Sequence, residues 1–416
     1  MEAVQFHPTG IFPAGILVTE GCRGDGGLLK DADGHRFMPD YEPEKKELAS
    51  RDVVSRRMEE HIAKGKGVKS RWGDHLLLDI TLLGEQHIRH NLREVWEICH
   101  YFMGVDPVKD PIPVRPAQHY TMGGVRTKPT GESTTLKGLF AAGEAACWDM
   151  HGFNRLGGNS VAETVVAGMI VGEFVADFCD DARNDASIPT ALVREFVAAE
   201  QGKLDAMAGG SGTESGDALK AAMQTIMTDK VGIFREGAKL EQAVSELQAL
   251  VKRSRNIRVA SAGPGPNPQL VTAYRTRMML KLALTIAYGA FVRTESRGAH
   301  FRQDHPRRND AEWLKRTLAT WKSAGDDLPT LAYEPLDVAR MELPPGWRGY
   351  GAKDYIDHPD TPARAEAVAK LRESMSGSDR FAVQEALMPF RHLLPERYRG
   401  RNERIDEPFG SRPKAA

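Results

Sequence analysis

Cysteine is scarce in this chain, and what there is lies apart. Cys22, Cys99, Cys147 and Cys179 form no CxxC pair, which argues against zinc, iron-sulfur ligation or a disulfide framework and points to a reducing compartment. No metal site is expected. An excess of one charge sign is lacking too: 56 Lys and Arg against 57 Asp and Glu leave a formal net charge of -1, so no bulk field favours nucleic acid or an anionic membrane. Long apolar runs are missing as well. The most apolar windows, 161–178 and 278–292, are broken by Glu163, Glu173 and Asp177 in the first and by Lys281 in the second, and both fall short of the ~20 apolar residues that cross a bilayer. Both read as buried core helices, so that membrane association would come through a partner. Glu2, Gln5, His7 and Pro8 stand where a secretion signal has its basic start and apolar core. There is no internal repeat or low-complexity tail.

What is present reads as four regions. At 416 residues the chain should hold two to four compact units, since one core rarely grows past about 250–300 residues. Residues 1–118 alternate short β-like runs, such as 16–18 and 76–80, with helical stretches at 52–64 and 85–99, an α+β pattern. Pro111, Pro113 and Pro116 then predict an extended connection, because proline lacks an N–H and restricts the residue before it. A boundary falls at 118/119. In 119–185, the run 138–144 reads as a buried strand ending at glycine, with Asn159 or Ser160 capping the next helix to about residue 178. Region 186–310 is a helical bundle, with Leu240, Ala243, Val244, Leu247, Leu250 and Val251 on one stripe. The run 263–268, Gly-Pro-Gly-Pro-Asn-Pro, breaks that helix and starts the next, through 274–291. Residues 311–416 are proline-rich and irregular, with one short helix at 363–375.

Five motifs carry the chemistry. Gln5-Phe6-His7-Pro8-Thr9-Gly10, Thr19-Glu20-Gly21-Cys22-Arg23-Gly24, Ser50-Arg51-Asp52-Val53-Val54, His119-Tyr120-Thr121-Met122-Gly123-Gly124 and the run 151–160, His-Gly-Phe-Asn-Arg-Leu-Gly-Gly-Asn-Ser, follow one another in that order. Read singly, an arginine such as Arg155 more often ends in a weak surface pair. A lone histidine is likewise more often a hydrogen-bonded core group than a ligand. Together, the five resemble the flavoprotein subunit of succinate dehydrogenase and fumarate reductase. In that family the glycine-rich turn that cradles the FAD pyrophosphate lies far upstream of Gln-Phe-His-Pro, so the resemblance makes this chain look like the carboxy-terminal part of a longer protein, with Met1 an internal methionine. On its own such a part is expected to hold FAD weakly and to be inactive.

The resemblance implies a fold and a site. The fold is an α+β capping domain (1–118), the carboxy-terminal return of an α/β FAD-binding domain (119–185), a helical domain (186–310) and a small carboxy-terminal domain (311–416). A dicarboxylate held for hydride transfer needs fixed cations or donors at both ends. His119 and Arg155 match the family's clamp on one carboxylate, while His7, Thr19 and Glu20 match the set around the other. Arg51 matches the proton donor and acceptor, and Glu20 and Arg23 match the relay to solvent. A guanidine that gives up its proton must do so transiently, favoured by neighbouring positive charge and exclusion of water. Glu144, Arg155, Asn159, Ser160 and Val161 match contacts to FAD. The closing motif 293–302 would support the domain and subunit interface.

Succinate and fumarate are then the substrates. The implied partners are an iron-sulfur subunit and a cytochrome b membrane anchor that pass electrons to quinone, which places the chain peripherally on the cytoplasmic face of the plasma membrane. The tail 342–351 and Val165-Val166-Ala167-Gly168 look more like the menaquinone-linked, two-haem-anchored fumarate reductases. Two alternatives stand beside this. L-aspartate oxidase shares the architecture but typically has Asn-Arg-Met-Ala-Ser-Asn-Ser where this chain has the run 154–160, and Thr-Glu-Ala where this chain has Thr19-Glu20-Gly21. The other is a non-catalytic remnant that only binds partner subunits.

Overall fold

The computed structural model describes residues 1–184, 189–260, 265–323, 325–336, 361–375 and 377. They fall into a larger unit, 1–307 with 319–330, and a smaller one, 308–318 with 331–416. In the larger unit five strands, β1 (Ala3–Ile11), β2 (Ile16–Leu17), β3 (Leu28–Lys30), β4 (Leu76–Asp79) and β5 (Ile112–Met122), form an antiparallel sheet in the order β2-β1-β5-β4-β3. Helices α1 (Gly21–Gly24), α2 (Met38–Tyr41), α3 (Arg51–His61), α4 (Glu85–Asn91) and α5 (Arg93–Ile98) complete this region. Leu76 and Leu78 of β4, and Ile112 and Val114 of β5, sit two residues apart and so point to one face. That face shares a core with Val54 and Met58 of α3, which are four apart on one helical stripe.

The prolines around 111–116 behave differently from the expected connector. Pro113 and Pro116 belong to β5, the central strand of the sheet, and Pro111 directly precedes it. Pro113 keeps its carbonyl bond to Phe12 N at 2.9 Å. Pro116 has no register partner, because the ladder with β1 shifts between His7 and Gly10, where Pro8 lies. A bulge is where a strand tolerates a missing N–H. The strand therefore runs unbroken through 118/119, the position of the boundary drawn from the prolines. The helix expected over 85–99 is two, α4 and α5, broken where Leu92 leaves helical geometry at φ -115° and ψ 31°.

Next come a short parallel pair, β6 (Val125–Arg126) and β7 (Ala146–Cys147), and the long helix α6 (Asn159–Asp180). The buried strand expected at 138–144 is not formed. Its one ladder contact is a bridge from Phe140 to Glu132, and Leu139 is exposed, since no strand among the described residues lies alongside to complete a sheet. Nor is α6 a buried core helix. Only Glu163 and Ala167 on it are buried, while Val161, Val165, Val166 and Met169 are exposed, because no described element covers that face. The cap is Gly158, in the left-handed region with φ 80°, rather than Asn159 or Ser160.

Helices α7 (Thr190–Gly209), α8 (Gly216–Lys230), α9 (Gly237–Arg253) and α10 (Pro268–Val292) follow. All six stripe residues of α9 are buried, packed with Leu219 and Met223 of α8 and Leu280 and Leu284 of α10. Asn267 caps α10 by accepting from Leu270 N at 3.1 Å, with Pro268 in the first turn. No helix among the described residues is long and apolar enough to cross a membrane. Toward the end lie α11 (Asp310–Trp313), a two-stranded sheet of β8 (Lys315–Thr320) and β9 (Thr330–Pro335), and α12 (Thr361–Ser374) near the helix expected at 363–375. The two strands are absent from the sequence expectation, and the segment 342–351 lies outside the described residues.

Leu247 is fully buried in the bundle core, whereas Ser245 on the same helix is exposed. Leu247→Ala should lower unfolding free energy by about 2–5 kcal/mol through lost burial and a cavity, and Ser245→Ala by less than about 0.5 kcal/mol. Denaturant titration reads both, and equal effects would contradict this packing.

Candidate functional site

The bulge in β1 sets the first wall of the site. His7 lies at its edge, buried, with Thr9 N donating to its Nδ1 at 3.3 Å. Thr9 Oγ1 donates to Val18 O at 2.9 Å, tying β1 to the segment that carries Thr19 and Glu20. Across the β1–β5 pairing, His119 meets His7 edge to face with ring centroids 5.2 Å apart. Arg51, at the first turn of α3, donates from Nε to Glu20 Oε2 at 2.7 Å, and Arg23 Nη2 lies 3.9 Å from the same oxygen. Arg23 is buried and donates from Nη1 to Glu47 O.

The second wall is the loop that carries Arg155. Gln5 Nε2 donates to Asn154 Oδ1 at 2.7 Å and to Arg155 O at 2.6 Å, and Asn154 Nδ2 donates to Asp52 Oδ1 at 3.0 Å. One side chain thus ties loop, β1 and α3 together. Beneath the loop, Ala299 N donates to Phe153 O at 2.8 Å. Gly298 comes so close to Phe153, with φ 53°, that a Cβ there would stand 2.5 Å from Phe153 O. The closing motif 293–302 thereby supports this loop, with the Arg293 guanidinium 4.7 Å from the Phe153 ring centre. Arg155 itself is buried, lies 4.5 Å over the Tyr120 ring and donates from Nη2 toward His119 Nε2 at 2.5 Å.

The charges in this cluster do not balance. Arg51 adds to the field on both Arg23 and Arg155; Arg23 and Arg51 share the partly exposed Glu20 carboxylate, and Arg155 feels Glu144 and Glu20. Burial, then Arg51 and Arg23, push His7 down to about 2; burial, then Arg155 and Arg51, push His119 down to about 4. Both are neutral at pH 7. Burial also holds Arg23 and Arg155 below the usual guanidinium range, with Arg51 adding to it. Nε and Nη2 of Arg23, Nη1 of Arg51 and Nε of Arg155 are buried with no hydrogen-bond partner. Each such donor costs about 1–3 kcal/mol until something accepts from it. What the cluster suits is an anion with carboxylate-like oxygens at more than one point.

Six of the expected residues, His7, Glu20, Arg23, Arg51, His119 and Arg155, therefore converge. Thr19 sits beside them, exposed, its Oγ1 accepting from Gly21 N at 3.2 Å. Glu144 is exposed and accepts from Thr121 N at 2.9 Å. Asn159 and Ser160 are half-buried and Val161 exposed at the start of α6, whose first turn has no side-chain cap. An open helix start beside an acidic side chain fits a flavin dinucleotide, whose ring and ribose take backbone N–H and carboxylate partners.

One cluster escaped the sequence reading. Glu163 of α6 is buried and accepts from Trp148 Nε1 at 2.6 Å, His151 Nε2 at 2.7 Å and Tyr120 OH at 2.8 Å. The signal was available, since a carboxylate in an apolar helix is rarely buried unless paired. Tyr120 links it to Arg155. Among the described residues no group of His, Cys, Asp and Glu is arranged to hold a metal ion.

Comparison with known proteins gives a consistent picture. Residues 1–161 match the family described as FAD binding domain, and 220–350 match that described as fumarate reductase flavoprotein C-term. The chain is 52% identical over 437 aligned residues to the fumarate reductase flavoprotein subunit of Helicobacter pylori strain J99, covering 98% of this chain and 60% of that protein. It is 37% identical over 364 residues to the succinate dehydrogenase flavoprotein subunit of Rickettsia bellii, covering 84% and 60%. Among solved structures, an E. coli quinol fumarate reductase superposes with a TM-score of 0.78 at 36% identity, covering 85% of this chain and 61% of that one. The chain thus spans about three fifths of the length of these relatives.

The depressed histidines give the site a pH signature. A histidine whose folded pKa lies below its unfolded value near 6.5 makes the unfolded state bind more protons, so stability falls as pH drops. His7, at about 2, should impose that slope from about pH 6.5 downward, and His119, at about 4, over the upper part of the same range. His7→Asn should flatten the decline of unfolding free energy below about pH 6.5 relative to wild type. Parallel stability curves for the two proteins would show that His7 is not held neutral by its surroundings.

Proposed function

The chain belongs to the family of succinate dehydrogenase and fumarate reductase flavoprotein subunits, and from that premise we propose that its cluster binds a four-carbon dicarboxylate and interconverts succinate and fumarate. FAD is the cofactor of the domain to which residues 1–161 belong. When bound, it supplies the hydride acceptor and donor. Glu144, Arg155, Asn159, Ser160 and Val161 are the residues that would hold it. The observation that carries the reading is the set of buried, unpartnered guanidinium N–H groups on Arg23, Arg51 and Arg155, with Arg23 and Arg51 paired to the one Glu20 carboxylate. A dianion supplies the missing acceptors.

Roles follow from position. Arg155 and His119 form the clamp for one carboxylate, since their polar atoms already meet and Arg155 Nε remains open. His7, Thr19 and Glu20 border the other end. Neutral His7 and His119 can donate or accept without adding charge. Arg51 moves the proton: its Nε is committed to Glu20, which leaves Nη1, buried and unpartnered, as the atom free to exchange a proton with a substrate carbon. Glu20, half in solvent and within reach of both Arg51 and Arg23, returns it. The same groups lower the barrier in both directions. In the cell the chain would serve as the peripheral subunit of an assembly with an iron-sulfur subunit and a cytochrome b anchor, on the cytoplasmic face of the membrane, passing electrons to or from quinone.

Two substitutions in the full flavin-loaded assembly test this. Arg51→Gln should cut turnover by about 10²–10⁴-fold, the usual worth of a positioned acid, while dicarboxylate affinity stays within about tenfold because the clamp remains. Arg51→Lys should restore little, having the charge without the planar fork. If Arg51→Gln keeps more than about a tenth of wild-type turnover, the barrier has moved by less than about 1.4 kcal/mol and Arg51 is not the acid. Arg155→Ala should lower the specificity constant for succinate by about 10–150-fold, the equivalent of ~1.5–3 kcal/mol for a charged hydrogen bond. An unchanged constant would remove Arg155 from the site.

A further inference from the structure

Two adjacent glycines, Gly157 and Gly158, lie between Arg155 and α6, and they are there for different reasons. Gly158 adopts φ 80° with nothing near its missing Cβ, so its demand is conformational. Gly157 has no left-handed backbone; its demand is space. A methyl group on Gly157 would stand 3.2 Å from Arg51 Nη2 and 3.2 and 3.4 Å from the two carboxylate oxygens of Glu20. Carbon contacts at ease lie near 3.5–4.0 Å, so such a methyl would have to push both members of the Arg51–Glu20 pair. Neither is backbone. Both crowded groups are the tips of side chains, Glu20 partly in solvent, so the fold can yield there cheaply.

We propose that Gly157 is a positioning residue: by lacking a side chain it lets the Arg155 loop close onto the Arg51–Glu20 pair, fixing where the proton route stands relative to the carboxylate clamp. The proposal rests on Arg51 as the proton-transferring group. Its physical content is that one missing methyl determines an alignment between two elements, α3 and the loop before α6, that are far apart in sequence. The crowded pair would have to give by a few tenths of an ångström, a fraction of the one-ångström misplacement that can cost on the order of a hundredfold in rate, while the added methyl stays at an exposed loop position.

The test is Gly157→Ala in the full flavin-loaded assembly, alone and combined with Glu20→Asp, whose carboxylate retreats by one methylene. Gly157→Ala should leave the midpoint of thermal unfolding within about 2 °C and dicarboxylate dissociation constants within about threefold, while kcat falls by about tenfold. On the Glu20→Asp background the same change should cost less than about threefold, because one of the two crowded groups has withdrawn and Arg51 has room to move with it. The proposal is overturned if kcat for Gly157→Ala stays within about twofold of wild type, or if its cost is equal on both backgrounds. A loss in affinity matching the loss in kcat would also overturn it, showing a damaged pocket rather than a displaced proton route. Arg51→Gln separates the two levels. If that variant stays active, the reading of the site fails; if it is inactive while the cycle is additive, only the role of Gly157 fails.

Discussion

Antiparallel pairing of residues 3–11 with 112–122 puts the chemistry of this chain in one place. It spans more than a hundred residues of sequence, and the shift in its ladder between His7 and Gly10 is a property of both strands at once. Were the ladder regular, alternation would fix each side chain to one face of the sheet. A second shift, between Gln5 and Phe6, leaves His119 without a register partner in the same ladder. Pro8 on one strand and Pro116 on the other occupy the same irregular stretch, so the residues that weaken a ladder are placed where it is already interrupted.

From that pairing the charge pattern follows. His7 and His119 come from the two strands, Arg51 from the helix laid across them, and Arg155 from a loop that Gln5 of β1 holds through Asn154 and the Arg155 carbonyl. Each cation is brought in by a different element, so no local sequence preference opposes their convergence. The repulsion among them is a cost of the folded state, met by contacts elsewhere. Elsewhere buried charges are paired: Glu2 takes Arg293 Nε at 2.8 Å, Glu295 takes Arg293 Nη1 at 2.8 Å and Arg235 Nη1 donates to the Glu2 carbonyl at 2.6 Å. This set joins the start of β1 to the end of α10 and to the segment under the Arg155 loop. In a dry interior, removing one member of such a set is far costlier than the set is worth in net terms.

Sequence reading recovered what is encoded locally or by motif. The stripe on α9, the start of a helix after the run 263–268 and the helix expected over 52–64 depend on neighbours within a few residues. The motifs also named six residues that the fold brings close together. It misjudged features that depend on a partner strand or a covering surface. Proline in β5 reads as a break unless the bulge opposite is known. The run 138–144 has strand composition, but composition does not supply a neighbour. Apolar character in α6 says that a face prefers burial, not that anything among the described residues covers it. Glu163 was read as an interruption to an apolar window, when its three donors lie at positions 120, 148 and 151, on the segments leading into that helix.

Those three donors also act on the orientation of α6. Advancing one residue along a helix turns it by about 100° about its axis. Tyr120, Trp148 and His151 grip the two oxygens of one carboxylate, so any slip of α6 by a single position would swing Glu163 away from all three at once. The carboxylate works as a key in a shaft, allowing one angular setting. Because Arg155 lies only four residues before the helix begins, that setting also indexes the loop that precedes it.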